Sequence, residues 1–371
     1  MEGLRTGNRN TAKQAKYAVA GLVLALLIAW VFVAQIRKQG FDWQVFWATL
    51  RALNWYWLGA ATILSYATYA GRALRWAVLL KPLRPKPRFW PLLSATIIGF
   101  TATTIFGRAG ELVRPYLIAN REKLPFPTQI AAWIVERIYD VLVALAVFGF
   151  ALSRVRASGV SLGPALSWTL EIGGIAVFLV SGVCLAVLLA MRFFSDRVHR
   201  WLLRTEGFLS DHHLDRVRSL ITAFVDGVRA TKTQGATAKL IVYTVLEWLL
   251  IAASYACILQ AFGTAVHLGI IDVLIFMGFV SFGSLVQLPG VGGGAQVTAV
   301  LVLTEIFNVP IEVATSLALL TWGITFVSIV PVGVGLALHE GLNWARLRQA
   351  GLREAGLREA GLPEAGGNSL R

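Results

Sequence analysis

Uncharged apolar runs, each about 20 residues long, recur along nearly the whole of this 371-residue chain. A bilayer core about 30 Å thick is crossed by roughly 20 apolar residues in a helix, and its lack of water forces every backbone group to pair internally. A chain built this way is an all-α polytopic membrane protein. Composition agrees: 56% of residues are hydrophobic and only 15% charged, which no soluble domain of this length matches.

The net charge of +14 invites a nucleic-acid reading. The basic residues, however, flank apolar runs, as they do where cytoplasmic loops meet anionic lipid, and no basic-motif scaffold is present. Nucleic acid is therefore not an expected partner. Cys184 and Cys257 both lie inside apolar runs and read as packing residues. Tyr17–Ile36 is long enough to span and no small-residue cleavage site follows it, so it reads as a first span rather than a cleaved signal peptide.

Full spans are expected at 17–36, 54–71, 129–152, 168–190, 240–262 and 310–338, with 37–53 a short connection. Residues 1–16 form a basic N-terminus, 17–340 the membrane domain, and 341–371 a low-complexity tail built on repeats of AGLRE. The stretch 191–239 has apolar residues at helical spacing among many charges and reads as cytoplasmic amphipathic helices on the membrane surface. The positive-inside rule places 1–16, 72–90 and 191–239 in the cytoplasm, along with both termini. That parity leaves 89–119 and 270–307 to enter and return on one side. These two become re-entrant broken-helix hairpins beside about six full spans. Two full spans in place of either hairpin keep the same parity, so the count alone does not choose. GFTATTIFGRAGE (99–111) and GFVSFGSLVQLPGVGGGAQ (278–296) share GF, then small hydroxylated residues, then glycines and a polar residue, entered from opposite sides. That is the pattern of an inverted repeat.

Chemistry concentrates in the stretch IFGRAGELVRPYL, 105–117. Charges at membrane depth cost on the order of 2.5–3.5 kcal/mol each and normally face a cavity or a partner. On a helix, Arg108, Glu111 and Arg114 form one polar stripe, and the glycines Gly107 and Gly110 allow close approach and free N–H groups for an anion. A second charged group, Glu136, Arg137 and Asp140, lies in AAWIVERIYDVLVALAV, with its two carboxylates four residues apart on one face. The expected pairing is Arg114 or Arg108 with Glu136 or Asp140, and a charge-reversal swap that rescues single variants is its test. Arginine also suits bidentate phosphate binding. The alternative is a network that only fixes helix register. In LPGVGGGAQ (288–296), Gly292 and Gly293 offer backbone N–H groups and Gln296, with Gln287, polar side chains; a plain turn is the competing reading. Glu247 is a further buried-looking acid. DHHLD at 211–215 reads as a solvated face rather than a metal site, and no nucleophile triad or phosphate loop is present, so neither metal, cofactor nor enzyme chemistry is expected.

GRAGELVRPYLIA (107–119), VERIYDVL (135–142) and PGVGGGAQ (289–296) resemble the lysylphosphatidylglycerol synthetase transmembrane, or flippase-like, family over about residues 15–340. The resemblance implies a bacterial or archaeal inner-membrane protein whose helical bundle, with re-entrant elements, handles lipid. In the best-understood members that bundle is fused to a soluble aminoacyl-transferase domain. This chain has the repetitive tail there instead, so the resemblance carries no synthase activity over. Family members often show PGGLG followed by an acid where this chain has Gln296, which leaves coupling or specificity open. Stand-alone relatives also occur beside hopanoid and glycolipid pathways. The expected function is therefore transport of an anionic or isoprenoid or glycolipid amphiphile between leaflets. The substrate-binding candidates are Gly107, Arg108, Gly110, Glu111, Arg114, Glu136, Arg137, Asp140, Glu247, Gly292, Gly293 and Gln296. The alternative is a non-transporting membrane partner of a lipid- or glycan-modifying enzyme. Membrane lipids, such an enzyme, and a second copy of the chain are the partners in view.

Overall fold

The computed structural model describes residues 41–84, 86–159, 163–204, 222, 225, 228, 234–285, 287–288 and 292–341. The expected span at 17–36, the site at 211–215 and the tail beyond 341 lie outside the described residues. Within them the protein is helical apart from two paired two-residue strands, and five segments are long and apolar enough to cross a membrane.

Helix α1, Trp43–Arg51, occupies what the sequence reads as a plain connection. Asp42 caps it by accepting from the N–H groups of Gln44 and Val45, and the Asp42 N–H donates to Glu312, tying the segment to the far end of the chain. Helix α2, Trp55–Leu80, starts at the Asn54 cap and runs about 39 Å. It continues nine residues past the expected end at 71, because no residue from Arg72 to Lys81 breaks a helix; Pro82 is the first that does. Arg72 and Arg75 are thereby drawn into the bundle rather than into a cytoplasmic segment. This corrects the expected boundary of the basic stretch 72–90.

Helix α3, Phe89–Phe106, ends at Gly107, whose φ of 65° and ψ of −146° suit only glycine. A 3₁₀ turn, Gly107–Leu112, then leads into α4, Val113–Glu122. α4 folds back against α3: a Cβ on Gly99 would meet Cα and Cβ of Arg114, and one on Gly110 would strike the Ala102 carbonyl. Residues 89–119 thus form a helical hairpin with its turn at the charged motif. Helix α5, Phe126–Ser158, follows, then α6, Pro164–Arg204. At 41 residues α6 measures about 60 Å, twice the bilayer core. Residues 191–204 therefore prolong the 168–190 span instead of starting a separate surface helix. α6 leans on α5 through Gly149 and Gly173, and almost none of its apolar stretch is buried.

Helix α7, Gln234–Ala261, runs antiparallel to α2: Asn54 bonds Ala261, and Ser254 bonds Ala61. Helix α8, Ile270–Gly283, and α9, Gly294–Glu305, pack together and are joined by a two-residue ladder, Gln287–Leu288 with Gly292–Gly293. Gly293 adopts φ 119°, again glycine territory, and the Gln296 side chain accepts from its N–H at 2.6 Å. This is the second hairpin. Helix α10, Ile311–Trp322, and α11, Ile329–His339, are separated by a π turn, Gly323–Val327. Pro331 cannot donate to Val327, so the ladder loosens just upstream. The loosened carbonyls are met by hydroxyls from α2 and α3: Tyr69 donates to Thr325, Tyr66 to Ser328, Thr104 to Phe326 and Thr101 to Ile329.

The two hairpins exchange supports. α3 packs on α11, where Gly333 sits against Thr101, and α8 packs on α5, where Gly278 sits against Val147 and Ala151. Most apolar packing falls into two clusters at opposite ends of α2 and α7, with a third, small one around Tyr69, Ile97 and Ile329. One gathers Leu53, Leu58, Phe148, Ile258, Phe276 and Leu303; the other gathers Trp76, Leu79, Leu92, Ile118, Val135 and Leu240. Between them lies the polar middle of the molecule.

Candidate functional site

Along α2, the sequence SYATYAGRALRW turns the hydroxyls of Ser65, Tyr66 and Tyr69 toward the π turn and its arginines toward α5 and α7. Arg75, 1% exposed, is the hub. Its guanidinium donates to Glu136 at 2.6 and 3.2 Å, to Asp140 at 2.6 and 3.0 Å, and to the Thr244 hydroxyl at 3.1 Å; Glu247 lies 3.3 Å away. Glu136, fully buried, also accepts from the Trp76 indole at 2.6 Å and from Arg114 at 3.0 and 3.1 Å. Arg114 donates further to the Arg72 carbonyl and lies over the Trp76 ring, 4.5 Å from its centroid. Arg72 pairs with Glu247 at 2.6 Å and lies over Phe100. Arg137 reaches Asp140 at 3.6 Å. Four arginines thus surround three carboxylates, from four different helices. Removing one member of such a buried set costs about 3–5 kcal/mol, because it strands the others.

The expected pairing of Arg114 with Glu136 is found. Asp140 pairs with Arg75, Arg72 and Arg137 rather than with Arg108 or Arg114. Arg72 and Arg75 were missed in sequence because basic residues at a span end read as cytoplasmic flank. Their spacing of three, continuing an unbroken helix, was the available signal.

Above this charged layer opens a cavity of about 370 Å³, within the range of ligand pockets. Its charged lining is Arg72, Arg108, Glu111, Arg114, Arg137 and Asp140. The stripe expected at 108–114 does face it, graded from exposed Arg108 through half-buried Glu111 to buried Arg114. Glu136 and Glu247 do not line it; they stand behind the arginines as counter-charges. Both hairpins reach the cavity. Ser281, Ser284, Ala295 and Gln296 line it from the second, while Gly292 and Gly293 form the strand that sets up the start of α9. Arg108, at the first hairpin's tip, donates to the Leu285 carbonyl at 2.6 Å, so the tips touch. Gly107 and Gly110 shape the first turn rather than contact the cavity.

One feature of the arginines bears on ligands. The Nε donors of Arg72, Arg114 and Arg137 are buried and meet no acceptor among the described residues. Buried N–H groups left unmatched cost about 1–3 kcal/mol each, and the four arginines against two carboxylates in the cavity lining leave it net positive and suited to an anion. Among the described residues no group of His, Cys, Asp and Glu is arranged to hold a metal.

The chain is similar to the glycosyltransferase AglD of Haloferax volcanii, at 25% identity over 316 residues, which is 78% of this chain and 50% of the relative. The chain thus spans about half the length of that protein. No solved structure matches significantly. The pattern of the lysylphosphatidylglycerol synthase transmembrane region matches residues 17–333, which takes in both hairpins and every arginine of the network, and the chain is a multi-pass membrane protein of that family.

Proposed function

We propose that the protein moves an amphipathic lipid with an anionic headgroup between the leaflets of a cell's inner membrane, without hydrolysing nucleotide. The observation that carries this reading is a cavity between two helical hairpins lined by four arginines, Arg72, Arg108, Arg114 and Arg137, against two carboxylates, Glu111 and Asp140. Arg114, Arg72 and Arg137 receive the headgroup, Arg108 stands at the hairpin tips, and Glu111 and Asp140 orient the arginines from the cavity wall. Glu136 and Glu247 hold the guanidiniums from behind. The lipid tails stay in the bilayer. The hairpins are re-entrant, both termini are cytoplasmic, and the two halves rock about the antiparallel pair α2 and α7. The exchanged supports, α3 on α11 and α8 on α5, suit such a movement because each half carries the other's hairpin.

A second reading, a membrane anchor for a lipid- or glycan-modifying enzyme, draws on Arg75, whose bonds to Glu136, Asp140 and Thr244 need no ligand. The printed name of the Haloferax relative fits an enzyme of that kind in its whole length. Leaflet exchange of acyl-labelled phosphatidic acid in proteoliposomes separates the two. The transport reading expects exchange by wild type and its loss, at matched folded protein, in Arg114→Gln. Absence of exchange by wild type, with and without an imposed proton gradient, would leave the anchor reading.

A further inference from the structure

Ion pairs divide the bundle into a part held by charge and a part that is not. Pairs of Arg72, Arg75 and Arg114 tie α2, α4, α5 and α7 together. The first hairpin is also fastened at its base, where Arg121 of α4 donates to Ser94 at 2.8 Å and pairs with Glu340, just past α11. α11 itself lies on α3, with Gly333 against Thr101. Among the described residues the second hairpin, α8 and α9, has no ion pair to its neighbours. Gly278 rests on Val147 and Ala151, the Phe282 ring stacks on Phe148 with centroids 4.3 Å apart, and Leu285 offers Arg108 a carbonyl. α10 sides with this part, packing chiefly on α1 and α9.

The chain passes from one part to the other at the π turn, Gly323–Val327. The Ser328 N–H there donates at 2.8 Å to Gly323, five residues back, so the turn holds one residue more than an α-helical turn. Helices bend where their ladder is opened in this way. The donors that meet the loosened carbonyls, Tyr66, Tyr69, Thr101 and Thr104, all belong to α2 and α3 in the charge-held part. Thr104 is placed to change partners. It has one proton, with the Phe326 carbonyl at 3.3 Å and the Phe100 carbonyl of its own helix at 3.0 Å. Trp322, Thr325 and Phe326 also line the cavity, so a bend at the turn reshapes its wall. We infer that the π turn is a hinge, on which α10 and the second hairpin swing as one body against the charge-held helices. What the swing serves rests on the transport reading above; whether it occurs does not.

α10 is about 18 Å long, so a pivot of about 15° moves its far end by about 5 Å. Asp42, the cap of α1, is bonded to that end through Glu312. Spin labels at Ala48→Cys on α1 and Leu338→Cys on α11, both exposed positions, report the swing in the full chain with Cys184→Ser and Cys257→Ser. In phosphatidylcholine nanodiscs, pulsed distance measurement should give two populations about 5 Å apart, or a shift of that size when phosphatidic acid is added. The control pair, Leu74→Cys on α2 with Leu338→Cys, should keep one distance. Deleting Gly323 closes the turn to an ordinary helical one and should merge the two populations. Tyr66→Phe/Tyr69→Phe removes two of the donors without touching the backbone and should widen the distribution instead; it decides alone if the deletion does not fold. One distance for the first pair under both conditions, movement of the control pair, or a distribution unchanged by the tyrosine variant would each overturn the hinge. Movement without leaflet exchange of any lipid would keep the hinge and defeat the transport reading, and exchange with a single fixed distance would do the reverse.

Discussion

The two hairpins occupy matching places and do different work. The first, α3 and α4 around Gly107–Leu112, brings Arg108, Glu111 and Arg114 to the cavity, and Arg114 is held by Glu136. The second, α8 and α9 around the short ladder, brings Ser281, Ser284, Ala295 and Gln296, with no charge at its turn. Glycine serves both, but it meets different obstacles. At Gly110 a side chain would strike only backbone, of Ala102 and Thr103, whereas at Gly283 it would strike the Thr298 side chain and the Gly294 carbonyl. A charged turn needs counter-charges from other helices and so is locked into the bundle. The uncharged turn is held by its own short ladder, by the Gln296 side chain and by Arg108 from the first hairpin.

That contrast can be broken most severely at Glu136. Glu136→Ala strands Arg75 and Arg114 and removes the acceptor of Trp76. A loss of about 3–5 kcal/mol is expected, seen as a collapse of the monodisperse fraction and thermal midpoint in detergent. Unchanged stability would mean the first hairpin is not anchored by charge. Next in size, Gly110→Ala should cost about 1–3 kcal/mol, and more than Gly283→Ala, because the nearest obstacles at Gly110 are all backbone while the nearest at Gly283 is a threonine hydroxyl. Equal melting of the two variants would erase the distinction drawn here. Within the second hairpin, Gln296→Leu removes the side chain that accepts from the Gly293 N–H, a loss of about 1 kcal/mol on the scale of helix caps. The smallest effect is expected at Arg108→Ala, an exposed residue with one bond to Leu285, within about 0.5 kcal/mol of wild-type stability.

Much of this was legible in the sequence. The apolar runs announced the membrane class, and glycines beside charges at 107–114 located the first turn. Glu136 and Asp140, four apart in an apolar helix, announced buried partners, and Arg114 proved to be one of them. Arg72 and Arg75 were not legible. A basic residue at the end of a span looks the same whether it faces lipid headgroups or a carboxylate three helices away. Only the antiparallel pairing of α2 with α7, and the turn of α5 toward both, decides between these. The π turn was hidden for a similar reason: Pro331 signals a kink, but the hydroxyls that stabilise the loosened carbonyls come from residues 66–104. The serines and threonines of the cavity likewise come from five separate elements and have no period along the chain.

The central claim is that an anionic lipid headgroup occupies the space between the two hairpins. Its most direct test is photo-crosslinking in vesicles with a phosphatidylinositol that carries the photoreactive group beside its headgroup, followed by peptide mapping. Adducts on the cavity residues Phe100, Trp133, Trp248 and Trp322 are predicted, suppressed by excess unlabelled lipid. Adducts confined to the outward residues of α6, such as Trp168 and Phe178, would contradict it and leave the cavity without a lipid.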